Sequence, residues 1–288
     1  MKAIIYRNYG FPKDVLRLEE LAKPVPNDDE VLIKVHASSL NQYDWHLLTA
    51  DIFLVRLGMG LFRPKNGRPG ADIAGQVEEV GRNIKQFQPG DVVFGDIAAC
   101  GGGGLAEYVS VPEKYLARKP ANVTYEEAAA IPMAAITALQ GLRDEGKVQP
   151  GQQVLIQGAS GGVGTFAVQL AKVFGAEVTA VCSTRNMDQA RSLGADRVID
   201  YTTEDFTRSG QRYDLILAAN GYHPLSAYKR ALKPQGIYIM AGGKPAQIFQ
   251  SILQGSRVSV KGGRKLWIVS AKPSQQDLLF MKDLFEAG

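Results

Sequence analysis

Short apolar runs alternate with helical patterns through the second half of the chain. The runs of strand length occupy residues 154–156, 177–181, 197–199, 214–217 and 237–240. Apolar positions at helical spacing occupy residues 165–174, 187–193 and 225–232. Runs this short predict buried strands, and their alternation with helices predicts a mostly parallel, doubly wound sheet.

The first half of the chain has a different pattern, in which strand signals are separated by turns. These signals occupy residues 2–6, 31–35, 73–80, 92–94 and 105–111. Thr124 and Glu127 have the spacing of a capping box, which predicts a helix kinked at Pro132 and reaching about residue 142. The sequence therefore predicts a small, partly closed β-barrel domain over residues 1–122 and the sheet domain over residues 123–260.

A glycine-rich loop joins the first predicted strand of the second domain to its helix. Its residues are Gly158, Ala159, Ser160, Gly161, Gly162, Val163 and Gly164. Glycines in this context let the backbone approach a pyrophosphate, and the helix N-terminus offers free N–H groups to it. The loop predicts a dinucleotide site, and an ordinary tight turn is the alternative.

The end of the next predicted strand favours NADPH over NADH. An NAD-specific unit has Asp or Glu about 20 residues past the loop, bound to the ribose 2′-hydroxyl. Here the strand ends in Cys182, Ser183, Thr184 and Arg185, which contain no carboxylate. We expect the two hydroxyls and the arginine to bind the 2′-phosphate, although a solvated surface arginine remains the alternative.

Other strand ends supply further candidates. Ligands of doubly wound sheets lie across the carboxyl ends of the strands. Asn220, Gly221, Met240 and Gly242 follow or end two of the predicted strands, and we expect them near the nicotinamide half of the cofactor. Ordinary turn chemistry is the alternative for each of them.

Composition and charge exclude several classes of function. The chain is 45% apolar and 22% charged, and it has no apolar stretch of transmembrane length, so we expect no membrane span. Its net charge of +4 is spread along the sequence, which does not indicate a nucleic-acid partner. Cys100 and Cys182 are expected to be free thiols in a reducing, cytoplasmic compartment.

Four stretches together resemble the medium-chain dehydrogenase/reductase superfamily. They are residues 69–75 (PGADIAG), 89–93 (PGDVV), 106–108 (AEY) and 158–164 (GASGGVG). The chain is most similar to the zinc-independent quinone oxidoreductase group, which includes zeta-crystallin. This resemblance implies a GroES-like, partly open β-barrel domain before a Rossmann sheet, with Arg185 and Tyr201 beside the 2′-phosphate. It also implies that a homodimer is a common assembly.

The superfamily's zinc ligands have no counterparts in this sequence. Zinc-dependent members carry a Gly-His-Glu string where this chain has Gly70, Ala71 and Asp72. Their first cysteine ligand falls within residues 38–41 (SSLN), which contain none. We therefore expect no metal site, and without a Lewis acid the oxidation of simple alcohols is disfavoured.

Reduction of an activated, conjugated acceptor by NADPH remains the leading hypothesis, because the cofactor supplies the hydride. The expected substrate is a small hydrophobic quinone or α,β-unsaturated carbonyl. The alternatives are a zinc-free alcohol dehydrogenase-like enzyme, an enoyl reductase and a non-catalytic NADPH-binding protein. Residues 49–53 lack the tyrosine that related enoyl thioester reductases carry, which counts against that activity.

The substrate side of the site is expected near residues 41–46. Asn41 and Asp44 match an Asn-x-x-Asp string of the group, and Asn41 is a candidate to bind the nicotinamide ribose or the substrate carbonyl. Tyr43 and His46 are the candidate proton donors. The structural alternative is that Asp44 only caps a helix.

Two further segments carry expectations. Residues 51–61 are unusually apolar for a loop, which suits a hydrophobic substrate mouth or contact with a partner subunit. Residues 261–288 are expected to return towards the first domain. The superfamily runs on beyond such a segment, so we expect either a truncated chain or an unusual ending, and a truncation would remove the closing strands of the β domain.

Overall fold

The chain divides into two compact units in its computed structural model, which describes residues 1–243, 257–260 and 263–288. Unit 1 comprises Met1–Ile136 and Pro273–Gly288, and unit 2 comprises Thr137–Lys272. The domain bounds drawn from the sequence, after residues 122 and 260, remain a prediction. Residues 261–262, where the predicted return segment begins, lie outside the described residues.

Unit 1 is built on antiparallel strands, as predicted for the small β domain. Its strands are β1 (Lys2–Ile5), β2 (Arg17–Glu20), β3 (Glu30–Ser39), β4 (Asp72–Val80), β5 (Val92–Asp96), β6 (Tyr108–Pro112) and β7 (Leu116–Arg118). β1 pairs with β2, and the others form a five-stranded sheet in the order β6-β3-β4-β5-β7. Alternate residues of these strands, such as Val31, Ile33 and Ile73, are buried in one apolar cluster.

The helices of the first 139 residues depart from the predictions in two places. They are α1 (Pro12–Val15), α2 (Gln42–Thr49), α3 (Phe53–Met59), α4 (Tyr125–Ala129) and α5 (Pro132–Leu139). The apolar stretch at residues 51–61 is therefore largely helical rather than a loop. The Thr124 side chain caps α4 as predicted, but a break before Pro132 replaces the single kinked helix, since proline cannot continue the hydrogen-bond ladder.

Unit 2 contains the predicted mostly parallel sheet. Its strands are β8 (Gln153–Gln157), β9 (Glu177–Cys182), β10 (Arg197–Asp200), β11 (Tyr213–Ala218), β12 (Leu232–Met240), β13 (Arg257–Val260) and β14 (Arg264–Ile268). The order is β10-β9-β8-β11-β12-β14-β13, and each neighbouring pair is parallel except β13 with β14. The order reverses at β8, and such a switch point opens a ligand crevice at the carboxyl ends of the strands.

The helices of unit 2 connect these strands. They are α6 (Gly162–Val173), α7 (Met187–Ser192) and α8 (Leu225–Ala231), after a π-helical segment at Gln140–Glu145. α6 begins three residues before the predicted start. β12 begins directly after α8, so Pro234 lies inside the strand rather than before it, next to a register shift with β11. The last helix, α9 (Gln275–Ala287), belongs to unit 1.

No helix within the described residues has the length and apolar character that crossing a membrane requires.

Candidate functional site

The glycine loop follows β8 and has a shape that side chains would prevent. Gly158 has a φ of 78°, in the left-handed region that favours glycine. A Cβ at Gly164 would lie only 2.0 Å from the Gly158 carbonyl oxygen. Gly162, Val163 and Gly164 form the first turn of α6, so the loop closes tightly against the start of its helix.

The N-terminus of α6 is open to an anion. Gly161 occupies the N-cap and supplies no side-chain cap, and both Gly161 and Gly162 are exposed. Ala159 is buried beneath the loop, where its N–H donates to the Val181 carbonyl over 3.1 Å. The first N–H groups of a helix have no intrahelical partner, and the helix dipole adds partial positive charge there. This cradle fits a pyrophosphate.

An amide joins the glycine loop to the end of β9. The Asn186 Nδ2 group donates to the Ser160 hydroxyl over 3.0 Å and to the Ser183 hydroxyl over 3.1 Å. Two predicted site residues are thereby held together. This role of Asn186 was not predicted from the sequence, because an asparagine in a turn usually hydrogen-bonds to the backbone of that turn.

The residues after β9 differ in whether their polar side-chain groups remain available to bind a ligand. The Thr184 hydroxyl donates to the Asp200 carboxylate, which also accepts from the Thr202 N–H over 2.9 Å. These hydrogen bonds, led by that from Thr184, lower the pKa of Asp200. Arg185 is exposed, and no hydrogen bond or ion pair described for the chain engages its guanidinium. Arg185 is thus the group best placed to bind a phosphate.

One cavity brings three of the predicted residues together, Gly158, Tyr201 and Asn220. It measures 230 Å³ and is lined by Gln157, Gly158, Tyr201, Asn220 and Tyr222. The rings of Tyr201 and Tyr222 meet edge to face with centroids 6.1 Å apart. The cavity therefore joins Asn220, expected near the nicotinamide, to Tyr201, expected near the 2′-phosphate.

Gly242 lies just past β12 and packs closely on the chain after β11. Its N–H donates to the Ala218 carbonyl over 3.2 Å, and its own carbonyl accepts from the Gly221 N–H over 3.1 Å. A Cβ at Gly242 would lie 2.4 Å from the Ala219 carbonyl oxygen. Glycine is thus required for the close approach of these two strand ends.

A buried tyrosine fixes the loop that carries Asn220. The Tyr228 hydroxyl donates to Gln157 Oε1 over 2.6 Å and accepts from the N–H groups of Tyr222 and His223 over 3.2 and 3.3 Å. Burial raises the pKa of Tyr228, so the phenol keeps its proton. The network ties the loop to the end of β8, and the sequence pattern gave no sign of it.

In unit 1, Asp44 has a structural role. It forms a capping box with Asn41 at the start of α2, and its Oδ2 accepts from the Asn41 N–H over 2.8 Å. Its Oδ1 accepts from the Gly70 N–H over 2.8 Å. Both carboxylate oxygens therefore hold backbone groups, in agreement with the capping alternative.

The Asn41 side chain is anchored on a buried carboxyl group that sequence reasoning did not assign. Its Nδ2 donates to Asp72 Oδ2 over 2.9 Å, and the Ser39 hydroxyl donates to the same oxygen over 3.0 Å. Asp72 Oδ1 accepts from the Met133 N–H over 3.1 Å. Burial, with the nearby charge of Asp96, raises the pKa of Asp72 to about 8. The sequence feature that could have indicated this role of Asp72 is a carboxyl group within an apolar strand pattern.

Asp96 faces Asp72 across two paired strands of the unit 1 sheet. The two residues are register partners on β5 and β4. Burial raises the pKa of Asp96 to about 6, although its Oδ1 accepts from the Ala98 N–H over 2.9 Å. The charge of Asp44 also raises the pKa of Asp96, because like charges in an apolar setting disfavour each other.

Tyr43 has an uncommitted hydroxyl. In the described part of the chain no hydrogen bond engages it, whereas His46 Nδ1 lies 2.7 Å from Asp51 Oδ1. Burial, and then the charges of Asp96 and Asp44, raise the pKa of Tyr43. Tyr43 is therefore a protonated phenol at neutral pH, and its hydroxyl, unlike the His46 ring, has no described partner.

The described side chains fit a nicotinamide dinucleotide in unit 2. The helix N-terminus, the exposed arginine and the lined cavity match a pyrophosphate, a 2′-phosphate and an adenosine. Across the residues that the structure describes, no three His, Cys, Asp or Glu side chains are grouped so that they could hold a metal ion.

Two family models match the chain. Residues 27–121 match the alcohol dehydrogenase GroES-like domain, and residues 162–264 match the domain described as zinc-binding dehydrogenase. The two matches fall on the antiparallel strands of unit 1 and on the sheet of unit 2.

Named relatives extend the similarity over the whole chain. The chloroplast envelope quinone oxidoreductase homolog of Arabidopsis thaliana is 36% identical over 100% of this chain and 88% of its own. The NADPH-dependent alkenal/one oxidoreductase, chloroplastic, of the same plant is 40% identical over 77% of this chain and 58% of its own. The solved structure of the quinone oxidoreductase from Coxiella burnetii superposes with a TM-score of 0.84 at 29% identity, covering 100% and 88% of the two chains.

The predicted GroES-like domain and Rossmann sheet are thus confirmed, and the fold and the relatives agree on one family of nicotinamide-dependent oxidoreductases. The chain belongs to the zeta-crystallin-like quinone oxidoreductases of the medium-chain dehydrogenase/reductase superfamily.

Proposed function

We propose that this oxidoreductase uses NADPH to reduce quinones or α,β-unsaturated carbonyls without a metal ion. The observation that carries the proposal is the carboxyl edge of the unit 2 sheet. There the N-terminus of α6 is open to an anion. Arg185, for which no partner is described, follows the strand whose end carries a carboxylate in an NAD-specific unit. The acceptor class is taken from the named relatives, which are quinone and alkenal/one oxidoreductases.

The roles in cofactor binding follow from the positions of the side chains. The free N–H groups of Gly162 and Val163, in the first turn of α6, bind the pyrophosphate, and Arg185 with Ser183 binds the 2′-phosphate. Asn220 shares its cavity with Tyr201, which supports a contact with the adenosine half rather than the nicotinamide half. When bound, NADPH supplies the hydride.

Tyr43 is proposed to give the acceptor its proton. Its phenol is half-buried, protonated and uncommitted, so it can donate to the carbonyl oxygen of the acceptor as charge develops there. Asn41 and Asp44 fix the start of α2 and therefore the position of Tyr43. Their role is positioning, because their polar atoms are engaged with Asp72, Gly70 and each other.

A hydrophobic acceptor suits the surface of α3 and the residues after it. Leu57, Leu61 and Phe62 are 63%, 47% and 86% exposed. Exposed apolar side chains this close in sequence often mark a binding surface. They support the predicted hydrophobic acceptor, and the same surface is available to the proposed homodimer.

The compartment stays a prediction. The two relatives described above are named as chloroplast proteins. For this chain, a reducing compartment such as the cytoplasm is supported by Cys100 and Cys182, which are both free.

Steady-state turnover of NADPH with a panel of quinones, enones and alkenals tests the proposal, with Tyr43→Phe as the matched variant. We expect turnover of at least one acceptor class and a lower kcat in Tyr43→Phe with little change in NADPH affinity. Tight NADPH binding without turnover of any acceptor would support the non-catalytic alternative. Oxidation of simple alcohols with NADP⁺ would instead support the alcohol dehydrogenase alternative.

A further inference from the structure

A basic pocket lies in unit 2, at the amino ends of the sheet strands, whereas the glycine loop lies at their carboxyl ends. It is an open cavity of 410 Å³. Its cations are Arg208 and Arg212, from the connection between β10 and β11, and Lys229 and Arg230, from the last turn of α8. No aspartate or glutamate is among the residues that line it. We call this surface the basic pocket.

The position of the basic pocket separates it from the cofactor edge. Arg212 directly precedes β11, and Lys229 and Arg230 lie just before β12. These two strands are parallel, so the pocket lies at their amino ends, whereas Asn220 and Gly242 follow their carboxyl ends. β11 is six residues long, which corresponds to about 20 Å at roughly 3.3 Å per residue. One anion cannot occupy both places.

The positive charge of the basic pocket is only partly compensated. Arg208 Nε lies 3.3 Å from Asp205 Oδ2, and the Asp205 carboxylate also accepts from the Thr207 N–H and hydroxyl over 2.9 and 2.8 Å. Among the ion pairs described for the chain, none involves Arg212, Lys229 or Arg230. Four cations around one cavity repel each other, and an anion with several charges relieves that repulsion.

A helix dipole does not explain the whole cluster. Cations in a last helical turn are stabilised by the partial negative charge there, which accounts for Lys229 and Arg230. Arg208 and Arg212 belong to a different segment, yet they line the same cavity. Gln211 adds an amide to the lining, although its Nε2 donates to Gln153 over 3.1 Å.

We propose that the basic pocket binds an anion that carries at least two negative charges on phosphate groups. Guanidinium forks match the geometry of phosphate oxygens, and this pocket presents three of them with one ammonium group. A volume of 410 Å³ suits a small phosphorylated ligand. The phosphate belongs to a free metabolite or to a phospholipid headgroup.

Calorimetric titration with inorganic pyrophosphate at low salt and saturating NADPH tests the pocket. The variant is Arg212→Gln/Lys229→Gln. The matched control, Lys13→Gln/Arg82→Gln, removes the same charge from exposed positions of unit 1. We expect saturable binding that weakens at least about tenfold in the pocket variant and is unchanged in the control. Affinity for NADPH should stay the same in all three proteins. A protein that does not bind NADPH would contradict the proposed function and would leave the proposal for the basic pocket unaffected.

Sedimentation with vesicles distinguishes the two sources of phosphate. Vesicles of phosphatidylcholine with phosphatidic acid are compared with vesicles of phosphatidylcholine alone. If the protein sediments with the vesicles that contain phosphatidic acid, and pyrophosphate displaces it, the ligand is a lipid headgroup. If the protein binds pyrophosphate but does not sediment with either kind of vesicle, the ligand is a free metabolite. Equal weakening in both variants, or no saturable binding to either probe, would overturn the proposal. Binding should fall on raising the salt to about 0.15 M, where the Debye length is about 8 Å.

Discussion

Replacing Arg185 by alanine should separate NADPH from NADH. Arg185 is exposed beyond β9, and its removal breaks no contact among the residues that the structure describes. A charge-assisted hydrogen bond to the 2′-phosphate contributes roughly 1.5–3 kcal/mol. That corresponds to about 10- to 150-fold weaker NADPH binding, and the exposed position favours the lower end. NADH lacks the phosphate and should bind almost unchanged.

Fluorescence or calorimetric titration of both nucleotides gives the result directly. Arg191→Ala is the matched control, because Arg191 is also exposed, lies on the next helix and pairs with Asp188 over 2.7 Å. The control should bind both nucleotides like the wild type. Ser183→Asp should shift preference towards NADH, because a carboxylate repels the phosphate and can accept from a free 2′-hydroxyl. Equal weakening of NADPH and NADH in Arg185→Ala would refute this role of the arginine.

Three further changes test the packing around the glycine loop, around Tyr228 and around Asp72. Gly164→Ala should lower both the melting temperature and NADPH affinity, since its Cβ would lie 2.0 Å from the Gly158 carbonyl oxygen; unchanged binding would refute the tight loop. Tyr228→Phe should cost about 1–3 kcal/mol in urea unfolding, because Gln157 loses a 2.6 Å hydrogen bond; no loss would mean that water replaces the hydroxyl. The raised pKa of Asp72, about 8 against about 3.9 unfolded, should make the free energy of unfolding fall as pH rises from about 4 to about 8, by at most about 1.4 kcal/mol per pH unit. Asp72→Asn should flatten that dependence, and an unaltered slope would contradict the assignment.

The parallel sheet and its glycine loop were predictable because their signals are local. Strand, loop and helix follow each other within about 20 residues, and the glycine spacing reports directly on backbone geometry. The capping box at Thr124 was likewise readable from two residues. Local patterns were therefore enough to predict the parallel sheet of unit 2 and the glycine loop at its carboxyl edge.

The supporting contacts could not be read from the sequence, because they join distant positions. Asn41 reaches Asp72 across 31 residues, and Tyr228 reaches Gln157 across 71. The apolar pattern at residues 51–61 does not distinguish a loop from the helix that forms there. In the sequence Pro234 predicts the end of a helix and a turn after it, but a register shift between β11 and β12 accommodates the proline inside a strand.

Hydride transfer from NADPH to a conjugated acceptor is the central claim. The most direct measurement uses NADPH that carries deuterium at both C4 positions and follows the label to the β-carbon of a reduced enone, with protein treated with a chelator. We expect deuterium in the reduced acceptor and undiminished turnover after chelation. Turnover that chelation abolishes and zinc restores would contradict the metal-free mechanism, and unlabelled product would contradict hydride transfer.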